Sequence, residues 1–137
     1  MPRISKNNRL KLRRGATAVE FAIVAPIFFL LMLASFEFSR MNVIRHTADN
    51  AAYEAARHAM VPGATAAEAV AKANTILNTV GTRGARVTIT PTTLGPTVDT
   101  INVQIDVPLN QNGWIVPKFT SGRTLTAQST LRTERAE

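Results

Sequence analysis

The chain has 137 residues, 45% of them hydrophobic, and no Cys. That length suits one domain rather than two, and the lack of Cys excludes disulfides, thiolate chemistry and cysteine metal sites. The net charge of +7 invites a nucleic-acid reading, but Arg3, Lys6, Arg9, Lys11, Arg13 and Arg14 supply six positive charges with no acid among them, and beyond Gly15 ten basic residues face nine acidic ones. A DNA-binding surface needs Lys and Arg gathered on a folded face, so nucleic acid is set aside as a partner.

Residues 1–15 are polar and basic and show no apolar periodicity. They are expected to form a disordered cytoplasmic leader. Ala16 to Phe36 follows, an apolar run with no Lys or Arg and one acid, Glu20. As an α-helix it would be about 32 Å long at 1.5 Å per residue, enough for a hydrocarbon core of about 30 Å. A membrane span is therefore expected over 16–40. The basic flank holds the N-terminus on the cytoplasmic side and puts residues from Arg40 onward outside, in the periplasm of a Gram-negative cell. The run is longer than the apolar region of a cleaved signal peptide, and no A-x-A site precedes Glu37.

Glu20 is the conspicuous residue of the span. A carboxylate at membrane depth costs on the order of 2.5–3.5 kcal/mol, less near the interface. Two readings stay open: it snorkels to the headgroups, or it pairs with a positive group from a partner in the bilayer. Pro26 removes the amide that would bond to the Ala22 carbonyl and is expected to kink the helix.

The helical pattern runs on past the membrane, over 41–61. Ala48, Ala51, Ala52, Ala55 and Ala59 form one stripe on a 3.6-residue period, with Asp49, Glu54, Arg57 and His58 off it and an i, i+4 pair in Glu54 and His58. Pro62-Gly63 ends the pattern. From Ala16 to Met60 a continuous helix would measure about 68 Å. Thr65-Ala66-Ala67-Glu68 has the form of a capping box, opening a second helix to about Val80, with Val70, Ile76, Leu77 and Val80 on the side facing residues 43–60.

From Arg83 the period changes to two. Val87 and Ile89, then Ile101, Val103, Ile105 and Val107, then Leu125, Ala127, Ser129 and Leu131 alternate with polar neighbours. Gly95-Pro96, Pro108, Asn112-Gly113 and Gly122 supply the turns. The expected fold is α+β: a long N-terminal helix, its first half transmembrane, then a small helix and an antiparallel three-stranded sheet in an exported unit of residues 41–137. The loop from Leu109 to Arg123, with Trp114, Pro117 and Phe119, is expected to be pinned into the core by its two aromatics; a partner-binding patch is the alternative.

Catalytic chemistry finds no support. His46 and His58 lack an obvious third ligand, and a zinc site needs three or four. No Gly-x-Ser-x-Gly elbow, P-loop or Gly-x-Gly-x-x-Gly is present. Asp99 and Asp106 take opposite parity around one strand and make no paired site. The chain is expected to be neither an enzyme nor a cofactor binder.

The residues Arg13-Arg14-Gly15-Ala16-Thr17-Ala18-Val19-Glu20-Phe21 resemble the start of a type IV pilin-like precursor of the tight-adherence (Flp) branch. With the basic leader, the apolar run, Pro26 and the close Glu37-Phe38-Ser39-Arg40, the likeness is to the TadE-like minor pseudopilins and covers roughly residues 13–58. Glu20-Phe21 is the form usual there, where the major pilins carry Glu-Tyr. The resemblance implies that an aspartic prepilin peptidase cuts after Gly15 and exposes the Ala16 amine. It makes Glu20 the fifth mature residue, able to neutralise the Ala16 amine of a neighbouring subunit. It also implies a structural role in building a Flp-type pilus, with the major pilin, other pseudopilins, inner-membrane assembly proteins and the lipid bilayer as partners. The implied location is the inner membrane, single-pass, with the C-terminal domain outside and possible incorporation into the pilus. The alternative is an uncleaved single-pass protein whose exported domain binds another envelope component. A third class, an enzyme released by ordinary signal peptidase, would leave soluble mature protein outside the cell.

Overall fold

The computed structural model describes residues 6–95, 98–113 and 122–132, with side chains from Gly15 onward. Its elements are α1 (Lys6–Ala59), α2 (Ala66–Thr79), β1 (Arg86–Thr90), β2 (Thr100–Pro108), a 3-10 turn (Leu109–Gln111) and β3 (Thr124–Arg132). The α+β class and the order of elements agree with the sequence pattern. One expectation is corrected: the leader is helical from Lys6 onward rather than disordered. Residues 6–14 contain no Gly, Pro or β-branched residue and are rich in Lys, Arg and Leu, all good helix formers. Once the apolar run has formed a helix, adding such residues to its end avoids a new nucleation step. The helix runs through Pro26.

The chain divides into two units, one ending at Phe36 and one beginning at Glu37. In the first, α1 stands alone. Val19, Phe21, Ile23, Val24, Ile27, Phe28, Leu30 and Leu31 are all more than half exposed, and the helix is long and apolar enough to cross a membrane. Apolar side chains in such number and exposure need another apolar phase to cover them.

In the second unit the remainder of α1 carries the core. Ile44, Ala48, Ala51, Ala52, Ala55 and Ala56 are fully buried and Ala59 nearly so. The expected alanine stripe is thus the packed face, widened by Ile44 and Ala56. On α2, Ala69 and Ala73 are fully buried and Leu77 almost so, whereas Val70 and Ile76 pack at the margin. Small side chains let a helix approach closely, so on α2 Ala69 and Ala73 are buried more deeply than Val70 and Ile76.

The sheet has the order β1-β2-β3, both pairings antiparallel. Val87 lies opposite Ile105 and Ile89 opposite Val103; Ile101 lies opposite Leu131 and Val107 opposite Leu125. All of these face the helices. Their alternating partners Asn102, Gln104 and Asp106, with Thr88, Thr90, Thr126, Gln128 and Thr130, form the opposite, polar face. This is the one-sided burial usual for antiparallel sheets.

Candidate functional site

The positions singled out by the sequence lie in two places. Gly15, Ala16 and Glu20 are exposed residues of α1. An added Cβ at Gly15 would meet nothing within 4 Å. Ala16 and Glu20 are separated by four residues and so share one helix face. This segment offers a carboxylate and a sterically open backbone. Among the described residues no group of three His, Cys, Asp or Glu is arranged to hold a metal ion.

The second place, in the unit beginning at Glu37, is a buried polar hub that closes one end of the sheet and holds it to α1. Asn112 is 1% exposed. Its Oδ1 accepts from the Arg83 N–H at 2.8 Å, and its Nδ2 donates to the Arg83 and Pro108 carbonyls, each at 2.8 Å. The carbonyl of Asn112 accepts from Arg40 Nε at 2.7 Å. Glu37 is also buried. A Cβ on Gly113 would come within 2.5 Å of Glu37 Oε1, so a larger residue there would displace that carboxylate. Gly84 has φ +66°, and an added Cβ there would strike Gln111 and Pro108. One amide side chain thereby gathers the segment after α2 and the end of β2, while its own turn is tied to α1. The Leu109 N–H donates to the Arg123 carbonyl at 3.0 Å and closes the loop base. Trp114, Pro117 and Phe119 lie outside the described residues.

At the other end of the head, Thr65 and Glu68 form the expected capping box. The Thr65 N–H donates to Glu68 Oε2 at 2.9 Å and the Glu68 N–H to Thr65 Oγ1 at 3.2 Å. The Thr65 backbone bond, then its hydroxyl, hold the Glu68 carboxyl below its usual range; burial opposes them, and the charge of His58 adds a smaller lowering effect.

Comparison with known families gives one match: the family described as TadE-like protein, over residues 15–57. Residues 15–57 are similar to that family. No curated protein and no solved structure matches the chain. The match begins at Gly15, takes in Ala16, Glu20, Glu37 and Arg40, and ends within α1 before the head's second helix. The rest of the head lies beyond it. Among the described residues one helix, Gly15–Ala59, is long and apolar enough to cross a membrane, and the match covers most of it.

Sequence reasoning placed Gly15, Ala16 and Glu20 but missed the hub. Glu37 and Arg40 read as the polar close of the span, and Asn112 as the first residue of a turn. The signal available was spacing: Glu37 and Arg40 lie three apart on α1, on the side that continues to Ile44 and Ala48. Pro108 is four residues from Asn112, but Arg83 and Arg40, the partners that make it a hub, are 29 and 72 residues away.

Proposed function

We propose that the chain is a minor pseudopilin of a Tad (Flp-type) pilus, with a structural and not a catalytic role. The observation that carries the reading is a TadE-like match that starts at Gly15 and covers a helix whose apolar side chains are bare. In this reading a membrane prepilin peptidase cuts after Gly15. The exposed span of α1 sits in the inner membrane, its N-terminus cytoplasmic and the head outside. It later packs among the major pilin, other pseudopilins and inner-membrane assembly proteins.

Glu20 then has a defined task. Cleavage creates an ammonium at Ala16, and a carboxylate one turn into the span of a neighbouring subunit offsets that charge where water is scarce. Within one helix Ala16 and Glu20 also share a face, so the carboxylate can shield its own amine before assembly.

The test is the N-terminus of membrane-extracted protein from cells carrying the matching peptidase, read by mass spectrometry. A chain beginning at Ala16 is expected. Gly15→Leu is expected to keep the full-length mass: the space around Gly15 in the fold is open, so loss of cleavage reflects the peptidase's access to the backbone and not a clash within the chain. Full-length wild-type protein in such cells would overturn the maturation step and leave an uncleaved envelope-binding protein.

A further inference from the structure

We propose that Asn112-Gly113 is a covalent modification site, a deamidation switch that the folded hub holds shut and that opens when the head unfolds. Asn112 is the only Asn of the chain followed by Gly. In a flexible chain that order lets the backbone nitrogen of the second residue attack the side-chain amide of the first, because Gly has no Cβ to obstruct the approach. The Gly113 nitrogen gives its proton to water or hydroxide and bonds to Asn112 Cγ. The Cγ–Nδ2 bond breaks, and Nδ2 leaves as ammonia with a proton taken from water. Water then opens the five-membered imide. Attack at Cγ restores the original backbone and leaves an aspartate. Attack at the main-chain carbonyl carbon leaves isoaspartate, in which the backbone runs through Cβ. Nothing is oxidised or reduced, and water is the only co-reactant.

The fold blocks each of these steps. Ring closure needs the Gly113 nitrogen eclipsed with Asn112 Cβ, whereas ψ of −9° at Asn112 nearly eclipses it with the Asn112 nitrogen instead. Turning it would break the bond that the Gly113 N–H donates to the Leu109 carbonyl at 3.1 Å. It would also swing the Asn112 carbonyl off Arg40 Nε, 2.7 Å away. The side-chain amide is no freer to move, because its Oδ1 and Nδ2 are held by bonds of 2.8 Å to Arg83 and Pro108. The leaving nitrogen is the donor in two of these bonds. Asn112 is buried as well, which keeps water and hydroxide from the reacting atoms.

Neither product fits the hub. Aspartate sets an oxygen against the Arg83 and Pro108 carbonyls where a donor stood. Isoaspartate lengthens the main chain where it passes Glu37 and Arg40. Loss of ammonia makes the change one-way. The dipeptide thus records the time a head has spent unfolded, and it withdraws heads that linger in that state from those able to close the hub.

The test uses the full chain in detergent at mildly alkaline pH, in sodium chloride or in enough guanidinium chloride to abolish the head's melting transition. Peptide mass spectrometry reads the conversion of each Asn. Asn102 and Asn110 are internal controls, since they precede Val103 and Gln111. In denaturant, Asn112 is expected to convert first, to both aspartate and isoaspartate, and Gly113→Ala to slow its conversion several-fold. In the folded chain conversion at Asn112 is expected to be slower by on the order of tenfold or more, because it must wait for local opening of the hub. Once denaturant is removed, deamidated chain is expected to melt lower than unmodified chain taken through the same cycle. Equal conversion at Asn112 in the folded and denatured chains would overturn the proposal. So would deamidated chain that melts like the unmodified one.

Discussion

Asn112 and Glu20 set two opposite problems for a polar side chain. Asn112 is buried and fully matched: one acceptor and two donor contacts, each 2.8 Å long, serve the backbone of Arg83 and the last residue of β2, Pro108. Asn112→Ala is expected to lower the head's stability by about 1–3 kcal/mol, the usual cost of leaving buried groups unpaired. Asn112→Asp should be worse at neutral pH, because it aims a carboxylate oxygen at the Arg83 and Pro108 carbonyls, and should recover partly in acid as the carboxyl gains a proton to donate. Thermal unfolding of the detergent-solubilised chain checks both; equal melting of wild type and Asn112→Ala would show that the amide is dispensable. Glu20 is exposed on α1. If it only snorkels, Glu20→Gln leaves assembly unchanged. If it offsets a neighbour's Ala16 amine, the variant is expected to be processed and membrane-bound but lost from crosslinked complexes with the major pilin or another pseudopilin. Breaking a buried pair costs about 3–5 kcal/mol, less near the interface.

Among the elements, α2 has a pH response. Glu68 accepts from the Thr65 N–H, and that bond is the main reason its folded carboxyl lies below the usual range. A lowered folded value means that the carboxylate's contribution is fully present above the unfolded pKa and fades as pH falls through the folded one. Glu68→Gln keeps an oxygen for the same bond but has nothing to titrate. Between neutral pH and about pH 3 its melting temperature should therefore fall less than that of wild type. Parallel curves would remove Glu68 from the acid response. The capping box was legible in four consecutive residues because both of its bonds are local. The strands were legible because burial on one face imposes a period of two. The depth of α2 was not: Val70 and Ile76 look like core residues by hydrophobicity, yet Ala69 and Ala73 lie deepest, because closeness of approach depends on what α2 meets and not on α2 itself.

Across the whole molecule, two regimes share one helix. The unit ending at Phe36 exposes its apolar residues, while the unit beginning at Glu37 buries them around the rest of α1. Small cores of this kind rarely supply more than about 3–5 kcal/mol, and here Ile44 to Ala59 belong to the same cluster as Leu77, Ile89 and Val103. A fragment of residues 42–137 is expected to fold, and one of residues 64–137 to lack a cooperative transition. A fragment of residues 37–137, which regains Glu37 and Arg40, should melt higher than 42–137. A cooperative melt of 64–137 would show that the sheet and α2 suffice. The division of labour along α1 was legible from composition, because apolar residues on every side give way at Glu37 to a single alanine stripe. The hub was not, since Arg40, Arg83, Pro108 and Asn112 are brought together only by the finished fold.

The course of α1 bears on how fast maturation can run. The helix starts at Lys6, so the bond after Gly15 lies inside it and not in a loose tail. A peptidase needs its substrate strand extended, which makes the cuttable form a minor member of a local helix–coil equilibrium. Glycine disfavours the helix by about 1 kcal/mol relative to alanine, so Gly15 raises the opened fraction at the position where the backbone must be handed over. When opening is rapid, cleavage speed follows that fraction. Gly15→Ala, which meets no atom in the fold, is then expected to mature several-fold more slowly, and a second helix-weakening change such as Arg14→Gly to restore part of the rate. The glycine would act as a timer, setting how long each newly inserted chain keeps its six leader charges before it can join others.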